Sequence, residues 1–170
     1  MKKLYLTYLF VSLLCLGTVG CSSDDNDAID SEQFVTANIN GLVFNSDINM
    51  QPLGFSRTLT PDGRINLYAK ALSTEGNIIE ILIDNYQGPG KYFFGDHFYN
   101  SSWVKFNNPA TSEIWGIGSS GALNKHSNFI EITSIKDKYI EGKIGCSEMV
   151  NNNSGPLGAM EGEFRLISFD

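Results

Sequence analysis

Histidine moves protons near neutral pH more readily than any other side chain, and this chain of 170 residues holds two, His97 and His126. His97 follows Asp96 in a loop after Phe94-Gly95, and His126 sits in the polar run Asn124-Lys125-His126-Ser127. Neither stands at the spacing of a zinc-ligand pair, and no nucleophile elbow sets a serine beside a base. Asp96 with His97 is the nearest approach to a metal pair, and two exposed loop residues are the simpler reading. Glu80 and Asp84 are the nearest approach to paired carboxylates. Glycosidic hydrolysis needs both groups facing one cleft, which spacing along a strand does not establish. Gly116-Ile117-Gly118-Ser119-Ser120-Gly121 matches the dinucleotide-binding pattern letter for letter. That pattern works through a helix N-terminus behind the glycines, and Ala122 to Asn128 is too short and polar to be that helix. The segment therefore reads as a turn between strands. The expectation is a protein that is not an enzyme, with no cofactor and no metal.

Aromatic side chains offer a different chemistry. Tyr92, Phe93, Phe94, Phe98, Tyr99, Trp103 and Phe106 crowd one short stretch. If Phe98, Val104 and Phe106 point into a core, the two-residue period of a strand turns Tyr99, Ser101, Trp103 and Lys105 to the opposite face. An outward Trp beside a Tyr can stack on a sugar ring or anchor a protein interface. Tyr99, Trp103 and Trp115 are accordingly the candidate ligand-binding residues. The plainer alternative is that neighbouring sheets cover both faces, or that Trp103 packs on the stem of Lys105.

Strands must position these residues, because no stretch after Phe34 shows an apolar stripe of period 3.6. Phe34 to Ile39 and Leu42 to Asn45 flank Asn40-Gly41, a pair suited to the type I′ turn of a hairpin. After an irregular stretch containing Pro52 and Gly54, the turn Pro61-Asp62-Gly63 launches Arg64 to Leu72. There Ile65, Leu67, Ala69 and Ala71 alternate with Asn66, Tyr68 and Lys70, so one face is buried and the other is wet. Ile78 to Ile83 reads as a central strand, and Gln87-Gly88-Pro89-Gly90 is expected to close a hairpin with Lys91 to Phe94. Further strands are expected over Phe98 to Phe106, Ser112 to Ile117, Asn128 to Ser134, Tyr139 to Ser147 and Ala159 to Phe169. The fold class is all-β, a single antiparallel β-sandwich or up-and-down barrel of about nine or ten strands.

The N-terminus reads as an export signal. Lys2 and Lys3 precede an apolar stretch from Leu4 through Leu16, then small residues Gly17 to Gly20, then Cys21. The three-part pattern is secretory, and the apolar stretch is shorter than the ~20 residues of a membrane span. Residues 17–21 resemble a lipobox, with Thr18 where Leu is commonest, which implies cleavage before Cys21 and acylation of its sulfur and amine. Two or three acyl chains hold a protein at a bilayer almost irreversibly. Cys15 then leaves with the signal, Cys21 is alkylated, and Cys146 remains as a lone thiol read as an inert buried side chain. Residues 1–20 are the signal peptide, 21–32 a lipidated acidic tether, and 33–170 the β domain. Loss of Lys2 and Lys3 takes the formal charge from −7 to −9. Asp24, Asp25, Asp27, Asp30 and Glu32 lie in the tether, a composition that favours an extended leash. No basic patch exists to displace counterions from phosphates, so nucleic acid is not expected as a partner.

Cys21-Ser22-Ser23-Asp24-Asp25 resembles the acidic segment that sends Bacteroidota lipoproteins across the outer membrane to face the exterior. A solvated spacer on a periplasm-facing lipoprotein is the alternative. Phe34-Val35-Thr36-Ala37-Asn38-Ile39-Asn40-Gly41, Gly90-Lys91-Tyr92, Phe129 to Thr133, Ile140 to Ile144 and Gly162-Glu163-Phe164 together resemble small Bacteroidota lipoproteins known only as a domain of unknown function. That resemblance implies a β fold and an outer-membrane location, and it names no reaction. The expected role is a surface-exposed, non-enzymatic binding or accessory lipoprotein with a glycan or protein partner. A structural envelope component without a small ligand, or a weak hydrolase, is the alternative.

Overall fold

Asn40 and Gly41 both take positive φ, 52° and 89°, the backbone that a tight hairpin turn requires of its two central residues. Their turn joins β1 (Phe34–Ile39) to β2 (Leu42–Asn45). The computed structural model describes residues 33–94, 102–117 and 126–169. Nine further strands follow: β3 (Gly54–Leu59), β4 (Ile65–Leu72), β5 (Ile78–Ile83), β6 (Gly90–Phe93), β7 (Trp103–Asn108), β8 (Glu113–Ile117), β9 (Phe129–Lys136), β10 (Tyr139–Asn151) and β11 (Gly158–Ile167). The protein is all-β among the described residues, a curled antiparallel sheet closing over one core.

Two halves of the sheet face each other across that core. One runs β2-β1-β11-β10-β9-β6, and the other runs β8-β7-β5-β4-β3. β10 belongs to both: Tyr139 to Cys146 pairs with β11 and β9, and after a register shift between Cys146 and Met149, Val150 and Asn151 pair with β8. A bulge bends a strand and increases its twist, and here it carries one strand from the first half to the second. The far edge closes where the Phe169 amide donates to the Phe55 carbonyl at 2.7 Å. Neighbour order departs from a simple up-and-down barrel, because β5 lies beside β7 and β6 beside β9.

Alternation builds the core. Leu67, Ala69 and Ala71 of β4 and Ile79, Ile81 and Ile83 of β5 are buried between the halves, facing Val35, Ile130, Ile140 and Leu166 from the other side. Each fully buried Leu, Ile or Val among them contributes about 1.5–3 kcal/mol relative to exposure. Cys146 lies in this core with its thiol pushed up to about 12 by burial, against a lowering hydrogen bond to the backbone of Phe129. It therefore stays protonated at neutral pH.

Two elements depart from expectation. β3 occupies the stretch read as irregular. Its inward slots hold Phe55, Arg57 and Leu59, and the charge at the middle one breaks the apolar alternation that marks a strand. β6 does not return beside β5 as a hairpin; it pairs with β9 in the opposite half. The chain bends at Asn85 (φ 55°) and again at Gly88 (φ 108°). The Tyr92 hydroxyl donates to the Gly88 carbonyl at 2.5 Å and accepts from the Gln87 amide at 3.0 Å, fastening the crossing. β5 is thereby left free to pair with β7.

Candidate functional site

Because β6 crosses to the other half, β4, β5 and β7 lie side by side. Register then sets six outward side chains in two rows, Lys70-Glu80-Lys105 and Tyr68-Leu82-Trp103. Successive residues on one face of adjacent strands are close enough to interact directly and diagonally, and these do. The Tyr68 hydroxyl donates to Glu80 Oε1 at 2.5 Å. Lys70 Nζ lies 3.3 Å from the same oxygen. The Tyr68 and Trp103 rings meet edge to face at 6.4 Å between centroids. Lys105 Nζ sits 4.5 Å from the centre of the Trp103 ring, a cation–π contact. Gly116 of β8 is the cross-strand partner of Lys105 and carries no side chain to cover this end of the row.

The electrostatics follow from these contacts. Burial is the largest influence on Glu80 and raises it. The Tyr68 hydrogen bond and the charges of Lys70 and Lys105 together outweigh burial and hold the carboxyl below its ordinary 4.5. Tyr68 is pushed up, first by burial and then by its hydrogen bond to the Glu80 anion. At neutral pH the patch therefore presents a carboxylate, a neutral phenol and two ammonium groups around one indole. Such a set offers donors and acceptors beside an aromatic ring, the combination that a polyhydroxylated ring with an apolar face requires.

The three aromatic candidates do not form one patch. Tyr99 and the lipid-attachment candidate Cys21 lie outside the described residues, as do Asp96 and His97. Trp103 and Trp115 stand on adjacent strands but on opposite faces. Trp115 pairs with Phe106 and Asn151 on the inward face and packs against the core. A Cβ at Gly158 would lie 2.5 Å from its Cζ3, so a residue without a side chain is what lets the indole approach the backbone of β11. Trp115 is thus a wall of the core, while Trp103 belongs to the outward cluster.

The remaining sequence candidates are already engaged. Asp84 is buried, accepts from Arg64 Nη1 at 2.8 Å, and its amide donates to the Ser102 hydroxyl. Glu80 is committed to Tyr68 and Lys70, so the two carboxylates serve different contacts. His126 stacks edge to face on Phe93 at 5.2 Å. Gly116 ends up inside β8, and residues 118–121 of the glycine run lie outside the described residues. Among the described residues no group of three or more metal-ligating side chains converges. On the other half of the sheet, an open hollow of about 440 Å³ lies among Thr36, Asn38, Val43, Lys143 and Glu163. No Trp or Tyr lines it, so it lacks the stacking partner of the Trp103 patch.

Tyr68, Lys70 and Glu80 are the partners that sequence reasoning did not attach to Trp103. The outward phase of Tyr68 and Lys70 was visible in the alternation of β4, and Glu80 was the one charged residue in the apolar run of β5. Their adjacency to β7 depends on β6 leaving the sheet, which local patterning does not encode. No known protein family, curated protein or solved structure matches this chain.

Proposed function

We propose that this protein is a lipid-anchored outer-membrane lipoprotein, facing the exterior, that acts as a non-enzymatic binding module for a glycan on the outer face of β4, β5 and β7. The observation that carries the reading is the Trp103 indole set beside Tyr68, Glu80, Lys70 and Lys105 in two consecutive cross-strand rows. A sugar stacks its C–H face on an indole while its hydroxyls exchange hydrogen bonds with flanking charged groups. Lys105 is the side chain that a stacked ring displaces, moving its ammonium to the ligand's edge. Anchoring rests on Cys21 after an apolar run and small residues, and the acidic residues that follow it support an outward-facing location.

Calorimetric titration of the full chain in nonionic detergent with a panel of plant and mucin polysaccharides tests the binding. At least one glycan is expected to bind, and Trp103→Ala to weaken it about tenfold or more, the loss of one stacking anchor. Silence across the panel, or affinity unchanged in the variant, rules out the glycan. Mass spectrometry of the anchored protein is expected to find residues 1–20 removed and acyl chains on Cys21. Protease added to intact cells is expected to digest the domain, and protection until the outer membrane is broken would refute the outward location.

A further inference from the structure

The β3–β4 hairpin carries a second group of residues with unmet chemistry, on the inward face and apart from Trp103. Arg57 pairs with Leu67 and Leu59 with Ile65, on the face that also carries buried Phe55. Leu67 is 1% exposed, but Leu59 and Ile65 are 72% and 41% exposed. The core face therefore continues past its cover as an apolar shelf. At the inner border of the shelf, the Arg57 guanidinium lies over the Phe55 ring at 5.3 Å and over the Tyr86 ring at 5.5 Å. Among the described residues no carboxylate lies within ion-pair distance of Arg57. Tyr86 is 7% exposed, and its buried hydroxyl has no hydrogen-bond partner among the described residues.

Each feature alone is unfavourable. A buried hydroxyl without a partner loses the hydrogen bonds it had in water. The exposed parts of Leu59 and Ile65 keep apolar surface in water that folding does not remove. The Arg57 guanidinium lies against Tyr86 and carries its charge with no carboxylate beside it among the described residues. One ligand satisfies all three, and we propose that the shelf binds a carboxylate attached to a short apolar group. The carboxylate accepts from Arg57 in bidentate fashion and from the Tyr86 hydroxyl once the exposed Arg57 side chain swings toward solvent, and the apolar group lies across Leu59 and Ile65. A monoanion suits one guanidinium and one neutral hydroxyl. Dianionic phosphate would hold uncompensated charge against two aliphatic side chains.

Sodium hexanoate is a suitable probe, titrated into the full chain in nonionic detergent while NMR follows the Arg57 Nε–H and the Tyr86 amide. Saturable shifts at both are expected, with acetate, which lacks the apolar group, and hexanol, which lacks the charge, each weaker by about tenfold or more. Tyr86→Phe is expected to melt at the same temperature as the parent or slightly higher, because it removes an unpartnered hydroxyl, while binding hexanoate about tenfold more weakly. Arg57→Leu is expected to abolish the preference for hexanoate over hexanol. The proposal is overturned if hexanol binds as well as hexanoate, or if both variants keep the parent affinity. It is also overturned if Tyr86→Phe melts several degrees lower, since the hydroxyl would then have a structural partner.

Discussion

The two tryptophans stand on neighbouring strands and have opposite surroundings. Trp115 of β8 faces inward, packs against the core and rests on Gly158 where no Cβ intervenes. Trp103 of β7 faces outward, edge-on to Tyr68 and beneath the Lys105 ammonium, within reach of a carboxylate held between two lysines. Residue type is the same in both cases, and the phase of a two-residue period decides the role. An indole against the core has its contacts fixed by packing. An indole on the outer face, among charged side chains that reach solvent, keeps contacts that a ligand can replace at little cost to folding.

Replacing each tryptophan puts that contrast at risk. Trp115→Ala is expected to cost about 3 kcal/mol of folding stability, the usual range for deleting an aromatic packed on a core, as measured by urea denaturation. Gly158→Ala tests the same wall from the other side. Its new Cβ would lie 2.5 Å from the indole and 2.6 Å from the Asn40 side-chain Nδ2, and over-packing of this kind costs about 2 kcal/mol. Trp103→Ala is expected to change stability by less than about 1 kcal/mol, as substitutions outside a core do. If Trp103→Ala destabilises as much as Trp115→Ala, the outward patch is a packing feature.

The smallest expected effect is on acid sensitivity. Glu80 is held below its ordinary 4.5 in the folded protein. A carboxyl lowered on folding stabilises the native state above its unfolded value, and that contribution disappears as pH falls through the folded value. Glu80→Gln is therefore expected to lose less stability than the parent between about pH 4.5 and the acid limit, in melting curves recorded across that range. Asp47, Asp62, Glu75 and Glu141 are also held low and remain in the variant, so the change is a partial flattening.

Strand existence was legible wherever apolar and polar residues alternate, as in β4, or where a turn pair such as Asn40-Gly41 marks a hairpin. β3 was not legible because Arg57 occupies an inward slot at the edge of the core, where its stem packs on rings and its charge reaches solvent. The partners of β5 and β6 were not legible either. Gln87-Gly88-Pro89-Gly90 has the composition of a hairpin turn, but bends at Asn85 and Gly88 send β6 to β9. Long-range pairing is set by the whole core, which no local window contains. The outward phase of Trp103 was therefore visible in its own strand, while its partners and the inward phase of Trp115 needed the register of β5 and β8.

The indole N–H groups of Trp103 and Trp115 provide the most direct test, because a two-dimensional ¹⁵N spectrum of the full chain reports each separately. Titration with the plant and mucin polysaccharide panel is expected to move the Trp103 indole signal and leave that of Trp115 in place. Movement of Trp115 alone, or of neither signal with any polysaccharide, would contradict binding at the outer face of β4, β5 and β7.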